Sequence, residues 1–190
     1  MSGVLSRVMR RTDLLIEAVF RWDRETLQAI SEHPLLKKLS LFFLVATYLG
    51  DGYLWGGLAL GLILFGRPID RIYILIGLAV SVVNIAVFRM FKLVFARERP
   101  VLVINSLRSR MIDSYSFPSG HSTVSFGLAW VITSFYPHLP IQLAAYFVAI
   151  TIGISRIYLK EHYPLDVICG ALLGSFVAAY LVPVFSKLFL

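Results

Sequence analysis

Cysteine is almost missing from this sequence: Cys169 is the only one in 190 residues. That excludes an intramolecular disulfide framework and a cysteine-rich metal site. Charge is scarce as well, at 15% of residues against about 25% in an average globular protein. The leading residues hold no apolar stretch of the kind that forms a cleavable leader, and Ser2 stands where N-myristoylation requires glycine. The chain is therefore expected to enter a membrane through its own spans. Acids are the scarcer sign, 11 against 18 Lys and Arg, for a formal charge of +7. The excess cations do not form one continuous face, so no nucleic-acid partner is expected. Seven precede the first apolar run, interleaved with five acids, and another seven gather around two later loops. A buried or interfacial phosphate suits that distribution better than a duplex does.

What the sequence has in abundance is apolar surface, with 58% hydrophobic residues and a mean hydropathy of +0.78. The fold class expected is an all-α, polytopic membrane helical bundle. Over residues 13–32, Ile16, Val19, Phe20, Leu27 and Ile30 recur at near-helical spacing beside Trp22, with Glu17, Arg21, Arg24 and Gln28 elsewhere on the wheel. An N-terminal amphipathic helix in the membrane interface would use that pattern, and so would a helix packed on the bundle. Residues 1–38 are set apart as an amphipathic segment, and 39–190 as a transmembrane domain. Uncharged runs follow at 39–50 and 52–66, divided by Asp51. Each falls short of the roughly 20 residues that cross the hydrocarbon core. Two short spans turning at Gly50-Asp51-Gly52 are expected, because a single span would place Asp51 at mid-bilayer. With spans at 72–91, 119–136, 139–155 and 167–186 the total is six, or five if the first two runs are one. In either case the loops after residues 91 and 155 are separated by two spans and share one side of the membrane.

Three segments carry most of the polar chemistry. In the first, Lys92 and Arg99 are seven apart and share a helix face, and Pro100 tends to end the helix at Arg99. Two such cations can grip a phosphoryl group, one as a mobile point charge and the other as a planar fork, or they can simply snorkel at a membrane edge. In the second, Pro118-Ser119-Gly120-His121 precedes an apolar helix, so cap chemistry and free N–H groups coincide with a histidine. A capped helix with a packed histidine is the plain alternative. In the third, Ser155-Arg156 is followed by His162 and Asp166, four apart, so that the carboxylate can orient the imidazole. A zinc site would use the same pair but lacks a third ligand. Asp51 receives no role. Arg97, Arg108 and Arg110 read equally as head-group contacts or a solvated rim; Tyr158, Lys160, Glu161 and Tyr163 can shape the pocket but read first as exposed loop.

Taken together, the order Lys-x6-Arg-Pro, Pro-Ser-Gly-His and Ser-Arg-x5-His-x3-Asp resembles the type 2 phosphatidic acid phosphatase superfamily. Every signature position matches: Lys92, Arg99, Pro100, Pro118, Ser119, Gly120, His121, Ser155, Arg156, His162 and Asp166. The resemblance covers roughly residues 70–180. It implies a lipid phosphate phosphatase in which His162 attacks phosphorus to form a phosphohistidine, Asp166 orients it, and His121 protonates the leaving group and then activates water. Lys92, Arg99, Arg156, Ser119 and the Gly120 N–H would hold the non-bridging oxygens. It further implies catalysis with no metal and no other cofactor. Such cations can stabilise the charge on a transferring phosphoryl group. The implied partners are a lipid phosphate substrate and membrane lipids; the lipid class stays open among polyprenyl diphosphate, phosphatidylglycerol phosphate, phosphatidic acid and lipid A phosphates.

Two other readings compete. A vanadate-dependent peroxidase would use the same residues, with His162 as axial ligand, but those relatives are larger and soluble. A non-catalytic binder of anionic lipid, or a transporter, would need the cations and leave both histidines surplus. With six spans, the positive-inside rule puts the N-terminal cations in the cytoplasm and the catalytic loops on the periplasmic or outer face of a bacterial cell membrane.

Overall fold

The protein is described by a computed structural model over residues 2–100 and 115–190; Arg108 and Arg110 lie outside the described residues. Among these residues there is no strand, only an isolated bridge between Glu98 and Tyr115. The helices are α1 (Ser2–Glu32), α2 (Pro34–Lys37), α3 (Ser40–Tyr48), α4 (Leu54–Phe65), α5 (Asp70–Phe95), α6 (Gly120–Phe135), α7 (Leu139–Tyr158) and α8 (Pro164–Phe189).

Among the described residues, four helical courses are long and apolar enough to cross a membrane: Ser40–Phe65, Asp70–Phe95, Leu139–Tyr158 and Pro164–Phe189. α6, at 16 residues, is shorter than that and packs between α5, α7 and α8. The first course corrects the expected pair of short spans. Residues 40–65 run as one helix through a widened stretch, Leu49–Tyr53, kinked at Gly52 (φ 112°) rather than reversed. The kink satisfies the constraint that argued for a turn, since it lets Asp51 reach polar partners within the bundle (below).

The bundle's packing explains its composition. Ile76 and Val80 of α5 meet Val131 of α6 and Ala178 and Val182 of α8 in a dry cluster. α6 and α8 approach so closely that a side chain at Gly174 would strike the Thr123 carbonyl, a small-residue contact of the kind that draws helices together in lipid. Large apolar side chains such as Phe65, Leu75, Val82, Leu172 and Phe176 point outward, as a lipid-facing surface requires.

Outside this bundle, α1 docks by its C-terminal half. Leu27 packs on Ile157 and Val167, and Asp23 is fully buried. The Asp23 carboxylate accepts from the Leu165 N–H at 2.8 Å, which fixes α1 to the start of α8. At the other end of the bundle, Asp70 accepts from the Arg67 N–H (2.7 Å) and the Tyr136 hydroxyl (2.8 Å), joining the start of α5 to the end of α6.

Candidate active site

Three chain-remote segments meet where α5, α6 and α7 end or begin. Ala96 takes a left-handed conformation (φ 45°) and stops α5, so the chain turns and pairs with Tyr115–Ser116. The Ser116 N–H donates to the Arg97 carbonyl at 2.8 Å, and Lys92 Nζ donates to the Tyr115 carbonyl at 2.7 Å. Ser119 caps α6 by accepting from the Ser122 N–H, while its own N–H donates to the Asp166 carbonyl at 2.9 Å. α8 begins at Pro164, and Asp166 closes its first turn by accepting from the Tyr163 N–H at 2.9 Å.

Lys92, Arg99, Gly120, His121, Arg156 and His162 line one pocket of about 590 Å³. Ser119 and Asp166 stand behind its wall, both fully buried. Arg99 Nη1 lies 3.3 Å from His162 Nε2 and donates to the Glu161 carbonyl at 3.0 Å. Arg156 is 1% exposed, donates to Thr47 Oγ1 at 2.8 Å and pairs with Glu161. Among the described residues no three His, Cys, Asp or Glu side chains converge as a metal site. Positive charge in the pocket is supplied by side chains.

His162 is 1% exposed. Burial first, and then the positive charges of Arg99, Arg156 and Lys92, hold it well below the ordinary imidazole range, so it is neutral at physiological pH. Its Nδ1 lies 3.6 Å from Asp166 Oδ2, close but beyond hydrogen-bond length. The other oxygen of Asp166 is taken by Arg97 Nη1 at 2.7 Å, and Arg97 Nη2 reaches Asp23 at 2.5 Å. Arg97 also stacks over Tyr163, 4.1 Å from the ring centroid. The four-residue spacing of His162 and Asp166 thus brings the pair together, and an arginine not expected in the site holds the carboxylate from behind.

Arg97 is therefore neither a head-group contact nor a solvated rim. Glu161 is no exposed loop residue either: it is 5% exposed and opposes Arg156. Tyr158 stacks on Phe43, and Lys160 pairs with Glu32 of α1 at 3.2 Å. Asp51 enters the pocket, its Oδ1 2.5 Å from His121 Nε2. Its sequence signal is an acid between two glycines within an apolar run. Asp23 has no comparable signal, because α1 carries acids on several faces and only docking selects one.

Comparison with known proteins agrees with this geometry. Residues 72–189 match the model of the PAP2 superfamily. The chain is 31% identical over 144 residues to the bacitracin transport permease protein BcrC of Bacillus licheniformis, covering 73% of this chain and 69% of that one. It is 33% identical over 134 residues to an undecaprenyl-diphosphatase of Sulfolobus acidocaldarius, covering 68% of this chain and 62% of that one. Among solved structures, Aquifex aeolicus LpxE matches with a TM-score of 0.62 at 30% identity, over 84% of this chain and 93% of that one. The chain belongs to the PAP2 superfamily and is a membrane phosphatase.

Proposed function

We propose that this member of the PAP2 superfamily hydrolyses the phosphate monoester or diphosphate of a membrane lipid through a phosphohistidine on His162, without a divalent metal. One observation carries the reading: two histidines and three cations from separate segments, Lys92, Arg99 and Arg156, face a single pocket. Neutral His162 attacks phosphorus through Nε2, the nitrogen on the Arg99 side. Asp166, 3.6 Å from Nδ1, stabilises the positive charge that the ring acquires. Lys92, Arg99, Arg156 and the Gly120 N–H hold the equatorial oxygens, where charge spreads in the transition state. Ser119 joins them only if its hydroxyl turns from the cap. His121 supplies a proton to the departing oxygen and later takes one from water.

An apolar groove of about 320 Å³ shares Gly52, Trp55 and Val124 with the polar pocket and continues between α4, α5 and α6 to Tyr73 and Tyr136. It suits a long lipid chain whose phosphate sits in the pocket. A prenyl diphosphate, the substrate in the name of the Sulfolobus acidocaldarius relative, heads the panel of candidates.

In this reading the membrane is crossed five times, by 40–65, α5, α7 and α8 and by the shorter α6 that packs among α5, α7 and α8. α1 lies at the interface on the site's own side, outside a transmembrane domain of residues 39–190. The N-terminal cations and the catalytic loops then share one face, so the charge argument for an outward-facing site in a bacterial cell membrane loses its premise.

The test is phosphate release by detergent-solubilised protein in EDTA across lipid monophosphates and diphosphates. Turnover of one lipid class, abolished by His162→Ala with lipid binding retained, is the expected result. Activity that appears only with a divalent ion would overturn the mechanism.

A further inference from the structure

Resting on the phosphatase reading, we infer that Asp51, on the kink between α3 and α4, is a positioning residue that holds His121 as the general acid for the leaving group. The geometry is built rather than incidental. Gly52 adopts φ 112°, a conformation that side-chain-bearing residues rarely take, and this bends the helical course at the level of the pocket. On the other side, Gly50 lies against α7 and α6. A Cβ there would come within 2.8 Å of Ile152 and 3.3 Å of the His121 ring. Two glycines thus let the chain turn and approach, and the acid between them meets His121 Nε2 at 2.5 Å. Both side chains remain partly exposed to the pocket, 31% for Asp51 and 23% for His121.

Committing Nε2 to Asp51 leaves Nδ1 as the ring nitrogen that can serve the substrate. In the first half-reaction the His162 Nε2–P bond forms while the bond from phosphorus to the leaving oxygen breaks, and His121 Nδ1 gives its proton to that oxygen. In the second, water attacks phosphorus, its proton returns to His121, and the P–N bond breaks. Asp51 exchanges no proton. It fixes the ring and supplies the counter-charge for the protonated form. That counter-charge is needed because the groups around His121 are mostly positive. Arg156 faces it from α7, Arg89 and Lys92 line the pocket from α5, and Arg99 and neutral His162 complete the wall. Glu161 is the second acid near it, already paired with Arg156.

The experiment compares Asp51→Asn with the natural protein on two phosphates of one apolar chain, an alkyl ester and a nitrophenyl ester. An alkoxide must be protonated as it leaves, whereas nitrophenolate leaves unaided. Turnover of the alkyl ester should fall about 100-fold, within the usual range for a general acid, and that of the nitrophenyl ester only a few-fold. The alkaline limb of kcat/KM for the alkyl ester should move to lower pH, and Asp51→Glu should restore much of the loss. Equal losses on both esters with an unmoved limb would mean that Asp51 only shapes the wall, and would overturn the inference. His162→Ala, run in parallel, should silence both esters. If it does not, the phosphohistidine reading fails by a separate signature. Titration of the His121 ring by NMR in Asp51→Asn gives a readout independent of turnover, and an unchanged midpoint would also overturn the inference.

Discussion

The pocket's two histidines face different surroundings. His162 sits in the wall made by the α7–α8 connection, sealed from solvent, with Arg99, Arg156 and Lys92 as its charged neighbours and the Asp166 carboxylate 3.6 Å away. His121 sits at the open edge, in the first turn of α6, with a carboxylate oxygen 2.5 Å from its ring. Burial and cations disfavour a proton on the first ring, whereas the second has a carboxylate within hydrogen-bond distance. In the proposed mechanism one ring is the nucleophile and the other the acid, and separate environments would let one side-chain type fill both roles. The walls also differ in construction. The His162 wall is a buried ion network that runs from α1 through Arg97 to Asp166, while the His121 wall is a kink carrying one acid.

The sharpest way to break the difference is to empty the His162 wall from behind. Arg97 stands between two fully buried carboxylates, Asp23 and Asp166. Arg97→Met should destabilise the protein by about 3–5 kcal/mol, the usual consequence of leaving buried charge uncompensated. Thermal unfolding in detergent measures it, and Arg97→Met combined with Asp23→Asn should recover part of the loss. A melting curve like that of the natural protein would show that water, not Arg97, satisfies those acids.

The front of the same wall gives the next largest effect. In the proposed mechanism, removing the Arg99 guanidinium takes a donor from the position where phosphoryl charge develops. Arg99→Ala should lower kcat by 10²–10³, about 3–4 kcal/mol. Folding should change less than in Arg97→Met, because Arg99 faces the pocket. Comparing kcat with the unfolding midpoint for the two variants separates the wall's catalytic face from its support.

The catalytic face was far more legible in the sequence than that support. Lys92, Arg99, His121, Arg156 and His162 were legible as one site through the resemblance of their ordered motifs, with the two-span separation of the loops giving a common side, and they line one pocket. The support was hidden because it depends on docking. Nothing in α1 distinguishes Asp23 from Asp13 or Glu25 until Leu27 packs on Val167 and turns that face inward. Glu161 read first as loop because it lies between motif positions, and only the fold buries it against Arg156. The two-span expectation for 39–66 failed on the energetics of Asp51. A buried, unpartnered acid is costly, but this one finds a histidine from another helix. A glycine that permits a kink looks the same in sequence as one that permits a turn.

The protonation contrast predicts a smaller effect, read by pH. His162 resists protonation when folded, whereas in the unfolded chain it takes a proton near 6.5. Below that pH the unfolded state binds more protons, so the His162 contribution to stability is complete above 6.5 and is lost as pH falls toward the folded value. The acid limb of kcat/KM that reports the nucleophile should accordingly lie below 6.5. Arg99→Ala removes a positive neighbour and should move the limb upward. A limb unmoved in the variant would mean that burial alone keeps the ring neutral.

The smallest effect belongs to the second tie between α1 and the bundle, and it tests whether burial ranks these contacts. Lys160 and Glu32 meet at 3.2 Å but remain 38% and 61% exposed, whereas Asp23 in the inner tie is wholly enclosed. Water and salt screen the outer pair, and two long side chains must be ordered to make it. A double-mutant cycle of Lys160→Ala and Glu32→Ala should give a coupling of about 0.2–1 kcal/mol that fades as salt is added. A coupling of several kcal/mol would mean that the outer rim, rather than Asp23 and Arg97, anchors α1 over the site.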